Sequence, residues 1–109
     1  MPIAWSPAVE ELAAIEVYPA ATPRQHGLPD SQYKKPNQEK RRCSIVRGLK
    51  AKLEIPQPVS SIIESNADAL DAAVCVLAGV DFLRWRAIPP PDLALAKQEG
   101  WIWIAGESI

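Results

Sequence analysis

The stretch Ser65-Asn66-Ala67-Asp68-Ala69-Leu70-Asp71-Ala72-Ala73-Val74-Cys75-Val76-Leu77-Ala78 decides the fold. Leu70, Ala73, Val74, Leu77 and Ala78 recur at the spacing of one helix face, so a helix is expected from Ala67 to about Arg84. Ser65 stands three residues before Asp68, the spacing of a capping box. Alanine fills most of the remaining positions, which lets the backbone approach another element closely. Asp68 and Asp71 lie three apart and share one flank of this helix, away from the apolar stripe.

Working outward, a second helix is expected from Gln38 to about Leu53, with Ile45, Val46, Leu49 and Leu53 as its stripe. Gly48 weakens it, and Pro56 and Pro58 end it. Pro89-Pro90-Pro91 breaks the chain after the principal helix. A short helix follows over Asp92–Glu99, closed by Gly100, and Trp101–Ile104 reads as a strand. Toward the N-terminus, Ser6-Pro7 starts a short helix to about Leu12. Ala13–Tyr18 reads as a strand stopped by Pro19, with Ile15 and Val17 on one face and Glu16 and Tyr18 on the other. Residues 19–37 read as irregular, since prolines and Gly27 interrupt any period.

The 109 residues make one domain over 1–109, 48% hydrophobic and 23% charged, which excludes a disordered, collagen-like or disulfide-scaffold chain. No apolar run is long enough to span a bilayer, and Met1–Ser6 is not a signal peptide, so no membrane partner and a cytoplasmic location are expected. Cys43 and Cys75 are too few for a disulfide framework, lack metal-ligand spacing, and read as reduced, small apolar residues on helices. The single histidine, His26, lies in a Pro/Gly-rich loop and has no nucleophile at a telling distance. Trp101 and Trp103 fall on one strand face and read as packing.

The net charge is −1, but the charges are segregated. Eight of the twelve Lys and Arg lie between Lys34 and Lys52, opposed only by Glu39. A basic helix can contact nucleic-acid phosphates, and Lys34, Lys35, Lys40, Arg41 and Arg47 are the candidate contacts. Its other reading is the solvated outer face of a packed helix. No aromatic residue interleaves this segment, so it is not a stacking platform for single strands. Asp68 and Asp71 repel each other unless a cation intervenes, and an all-oxygen site suits Mg²⁺ or Mn²⁺. Two such ions can activate water and stabilise the leaving oxygen in phosphodiester cleavage. The competing reading makes Asp68 a capping-box residue, Asp71 part of a solvated face and Glu16 the exposed side of an edge strand.

The order Glu16-Val17-Tyr18-Pro19-Ala20-Ala21-Thr22, then Tyr33-Lys34-Lys35, then Asp68-Ala69-Leu70-Asp71-Ala72, then Glu99-Gly100-Trp101-Ile102-Trp103 resembles the C-terminal half of the predicted-nuclease family called domain of unknown function 429. The likeness runs from about Glu16 to Ile104. It implies α/β class and a partial RNase H-like fold: a strand–helix–helix–strand remnant, mostly helical with two short strands. It implies that Glu16 matches the acid of the fourth strand, and Asp71, with Asp68 one turn before it, the acids of the last helix. These three would be the catalytic and metal-binding residues. The first-strand aspartate of the family has no counterpart among the fifteen residues before Glu16. The chain therefore reads as N-terminally truncated, with a lone strand that would pair with a second copy or with a missing N-terminal half. Two functions follow: a metal-dependent nuclease acting on phosphodiesters, or a non-catalytic remnant serving as a small structural or interaction module.

Overall fold

The computed structural model describes residues 1–29 and 33–106. It is mostly helical, with α1 Ala21–Gln25, α2 Glu39–Lys50, α3 Gln57–Ser65, α4 Ala67–Leu83 and α5 Leu93–Glu99. The expected helices over the basic segment, the Asp68/Asp71 stretch and the residues before Gly100 are all present. No helix among the described residues is long and apolar enough to cross a membrane.

The cap of α4 differs from the expected capping box. Asn66, not Ser65, caps the helix: its side-chain oxygen accepts from the amides of Asp68 at 2.9 Å and Ala69 at 3.1 Å. Ser65 is the last residue of α3, and its hydroxyl donates back to the carbonyls of Ser61 and Ile62, both at 3.1 Å. α3 itself corrects the reading of Pro56 and Pro58 as a simple break. Pro56 is the N-cap and Pro58 lies in the first turn, where a missing N–H costs nothing. α1 is tolerated for the same reason, with Pro23 in its first turn. The expected helix after Ser6-Pro7 does not form: residues 5–7 bend, and residues 8–10 are irregular.

The two expected strands are present only as isolated bridges. Ile3 pairs with Ala14 and Glu16 with Ile102, both in parallel, while Ala87 pairs antiparallel with Ala105. The bonds are Ala4 N–H to Ala14 C=O and Ala14 N–H to Pro2 C=O at 2.8 Å, and Trp103 N–H to Glu16 C=O at 2.9 Å. Beyond them, Ile88 donates to Ile104 and Gly106 to Arg86, each at 2.9 Å. The segment carrying Glu16 is paired within the chain, at Ala14 with 2–4 and at Glu16 with 102–103, where the sequence suggested an unpaired strand. Prolines at 2, 7, 19 and 89–91 keep each run short.

Two apolar clusters form the core. Tyr33, Ile45, Val46, Leu49, Ile63, Leu70, Val74 and Leu77 join α2, α3 and α4. Ala67, Ala69 and Ala73 pack against this cluster, as small residues allow. Ala4, Phe82, Ala87 and Trp103 form the second cluster under the extended segments, with Phe82 and Trp103 edge-to-face at 4.8 Å. α4 contributes to both and is the spine of the molecule. Gly48 lies where α2 meets the Leu28 side chain, which would have to shift to admit a Cβ there.

Candidate functional site

Asp71 sits in the second turn of α4 with its side chain 19% exposed. Both of its oxygens have donors. The Tyr33 hydroxyl donates to Oδ1 at 2.7 Å, and Lys34 Nζ donates to Oδ2. The Lys34 ammonium also stands 5.6 Å from the Tyr33 ring centroid, within cation–π range. Lys34 remains 59% exposed, so the ammonium faces solvent on its other side.

The loop that delivers these two donors is held by Arg42, which is 3% exposed. Its guanidinium donates to the carbonyls of Tyr33 at 2.9 Å, Lys35 at 2.8 Å and Pro36 at 3.4 Å, and to Glu64 at 2.7 Å at the end of α3. One residue of the basic run is thus a buried staple rather than a surface charge. The planar fork reaches several acceptors at once, which an ammonium does not do in the same way.

The electrostatics follow this arrangement. Burial first, then the bond to Asp71, pushes the Tyr33 phenol far above its ordinary value. The bond to Asp71 raises Lys34; desolvation opposes it, and the charges of Asp71 and Asp68 add to the rise. Burial, reinforced by Asp71, raises the Cys75 thiol and makes its thiolate scarce.

The three sequence-predicted acids are not gathered in one place. Asp68 lies exposed one turn before Asp71 and, with Lys34 and Asn66, borders a shallow cleft of about 280 Å³. Glu16 is exposed on its extended segment and its carboxylate rests over Gly100, where a Cβ would stand 3.2 Å from Oε1. Gly100 has φ of 91°, so glycine suits the position twice over. Among the described residues, no three His, Cys, Asp or Glu side chains stand together as a metal-ion site. Each Asp71 oxygen accepts from one donor of the chain itself, Tyr33 on Oδ1 and Lys34 on Oδ2.

The basic candidates divide. Lys34 is engaged by Asp71, Lys35 is exposed, and Arg41 is half-buried and has an interaction partner. Lys40 and Arg47, both exposed on α2, line one open groove of about 640 Å³ with Glu39, Cys43 and Ser44. Two cations against one acid leave this groove net positive.

The sequence reading missed a second polar cluster. His26 Nε2 and Asp81 Oδ2 share a hydrogen bond of 2.7 Å, with side chains 0% and 1% exposed. Arg86 Nη1 lies 3.8 Å from Asp81 Oδ1, at ion-pair distance but too long for a hydrogen bond. Among the described residues, Thr22 Oγ1, His26 Nδ1 and Asp81 Oδ1 are buried with no hydrogen-bond partner. Asp81 in the apolar run Val80-Asp81-Phe82-Leu83 was the available signal, because a buried acid demands a partner.

Neither a curated protein nor a solved structure matches this chain. A family model does, over residues 5–93, and it carries the description "Protein of unknown function (DUF429)". The match takes in the Glu16 segment, the Tyr33-Lys34 loop, α2, α3 and all of α4. The chain belongs to the DUF429 family.

Proposed function

We propose that this chain is a non-catalytic nucleic-acid-binding module of nuclease descent. The observation that carries this reading is the Lys34 ammonium on Asp71. The carboxylate that a nuclease of this descent would offer to a metal ion is neutralised by a residue of the chain itself, with Tyr33 on its other oxygen. The parallel run of the Glu16 segment beside Ile102, with α4 packed behind, is what a partial RNase H-like fold would retain. Lys40 and Arg47 supply the exposed cationic groove for phosphates.

The test is salt-dependent binding of a fluorescent oligonucleotide, together with a cleavage assay in Mg²⁺. Binding without cleavage is expected. The double variant Lys40→Ala/Arg47→Ala should reduce the slope of log affinity against log salt by about two. An unchanged slope would overturn the role of the groove.

One observation favours a second reading, a metal-dependent nuclease. Asp68 is exposed one turn from Asp71, and both charges act on Lys34. In that reading Lys34 leaves, and Glu16, Asp68 and Asp71 converge on Mg²⁺ or Mn²⁺. Lys34→Met frees Asp71 Oδ2 and separates the two readings. Metal-dependent cleavage in that variant, lost again in Lys34→Met/Asp71→Asn, would establish the second reading over the first.

A further inference from the structure

Folding alone does not account for Trp85. α4 ends in a Schellman motif: Trp85 N–H bonds to Phe82 C=O at 3.1 Å, and Arg86 N–H to Asp81 C=O at 2.9 Å. The motif places Trp85 at φ of 62°, the left-handed region, where glycine or asparagine is usual. A bulky side chain is strained at such a position. Packing does not repay the strain, because Trp85 is 66% exposed. Strain kept without a packing return points to use of the side chain.

Its surroundings indicate what that use is. Trp85 borders a cleft of about 260 Å³, shared with Trp5, Pro7, Pro89 and Trp103. Trp103 is itself buried and fixed edge-to-face against Phe82, so the floor of the cleft is rigid. Arg84 and Arg86 flank Trp85 in the chain. Arg84 is exposed, and Arg86, about a third exposed, leans toward Asp81. An exposed indole with an arginine on either side of it in the chain is complementary to a flat ring joined to negative charge. A nucleobase with its phosphates has that chemistry, and base stacking on an aromatic side chain does not depend on sequence.

We infer that Arg84-Trp85-Arg86 is a stacking site for single-stranded nucleic acid, in which a base lies on Trp85 and the adjoining phosphates meet Arg84 and Arg86. The inference rests on the nucleic-acid-binding reading and deepens it by naming the strand state and a second contact. The site lies at the opposite end of α4 from Asp71, roughly 20 Å away at the helical rise per residue.

The test is fluorescence anisotropy of a labelled oligothymidylate about 12 nucleotides long, in EDTA, with the whole chain. Trp85→Gly is the decisive variant, because glycine suits the left-handed position and leaves the fold at least as stable. The expected result is a roughly tenfold or greater loss of affinity with a Tm equal to or above that of the wild type. Double-stranded DNA of the same length should be insensitive to the substitution. Equal affinity of Trp85→Gly for the oligothymidylate would overturn the inference. If Lys40→Ala/Arg47→Ala then loses binding, the nucleic-acid reading stands without this site. If the wild type binds no oligonucleotide at low salt, both fall. Binding of an oligoproline peptide that Trp85→Gly abolishes, with no oligonucleotide binding, would overturn the inference in favour of a proline-rich protein partner.

Discussion

At the scale of the residue, the pairing around Asp71 makes the alkaline limb of stability specific. Tyr33 has an ordinary value of 10.0 and Lys34 one of 10.5, and the fold raises both. A raised value means that the folded state favours the protonated form: the neutral phenol in one case, the ammonium in the other. The stabilisation is therefore whole below about pH 10 and is lost as pH climbs through the raised folded values. Cys75, whose ordinary value of 9.0 the fold also raises, adds a loss that begins lower, so Tm should be flat to about pH 8 and fall from about pH 9 upward, more steeply above pH 10. Tyr33→Phe should lower Tm at pH 8, because it removes a bond to a charged acceptor worth about 1.5–3 kcal/mol. The same variant should flatten the fall above pH 10, since one of the two titrating groups is gone. A fall as steep as that of the wild type would mean that Tyr33 does not titrate against Asp71. The bond spans 38 residues of sequence, between a loop and α4. No local period encodes such a contact, so Asp71 was legible as a site candidate while its partners were not.

At the scale of the element, Arg42 decides whether the loop before α2 exists as a fixed structure. Its four carbonyl acceptors come from the 33–36 loop and the end of α3, two segments with no other regular pairing to each other. Arg42→Met keeps much of the aliphatic volume and leaves those carbonyls without their donor. The expected cost is about 2–4 kcal/mol in urea unfolding. Lys34 should become more accessible as well, read as faster acetylation of that lysine by mass spectrometry. Loss of less than about 0.5 kcal/mol would assign the loop's order to Tyr33 packing alone. In the sequence Arg42 was one more charge in a basic run, because burial is not a local property. The principal helices were legible for the opposite reason: α4 and α2 carry apolar stripes at helical period, and that period is local. The short elements were harder. Pro56 and Pro58 read as breaks, but α2 has already ended at Lys50 and the two prolines open α3 instead. The expected strands shrank to single bridges because each run meets its neighbour for only one or two residues between prolines. Trp101 and Trp103 were read as packing residues, and both belong to the second cluster.

At the scale of the whole molecule, α4 is what makes two small apolar clusters into one protein. Leu70, Val74 and Leu77 belong to the helical cluster, and Phe82 belongs to the cluster under the extended segments. Gly79 lies between them in an unbroken helix, and a Cβ built there meets nothing within 4 Å. Glycine is therefore not required by packing at this position, and it weakens the helix at the point where the clusters are joined. Gly79→Ala should stabilise the protein by about 0.5–1 kcal/mol, through helix propensity and a less flexible unfolded chain. For a domain of this size that corresponds to a rise in Tm of roughly 2–8 °C. The manner of the rise tests the architecture. Far-ultraviolet circular dichroism reports mainly α2, α3 and α4, while tryptophan fluorescence reports the second cluster, where Trp101 and Trp103 lie. If α4 couples the clusters into one cooperative unit, the two transitions coincide in the wild type and move up together in Gly79→Ala. A dichroism transition that moves while the fluorescence transition stays would show two separately folding halves. Stacking at Trp85 would then be carried by a part of the chain whose stability does not depend on the Asp71 pairing.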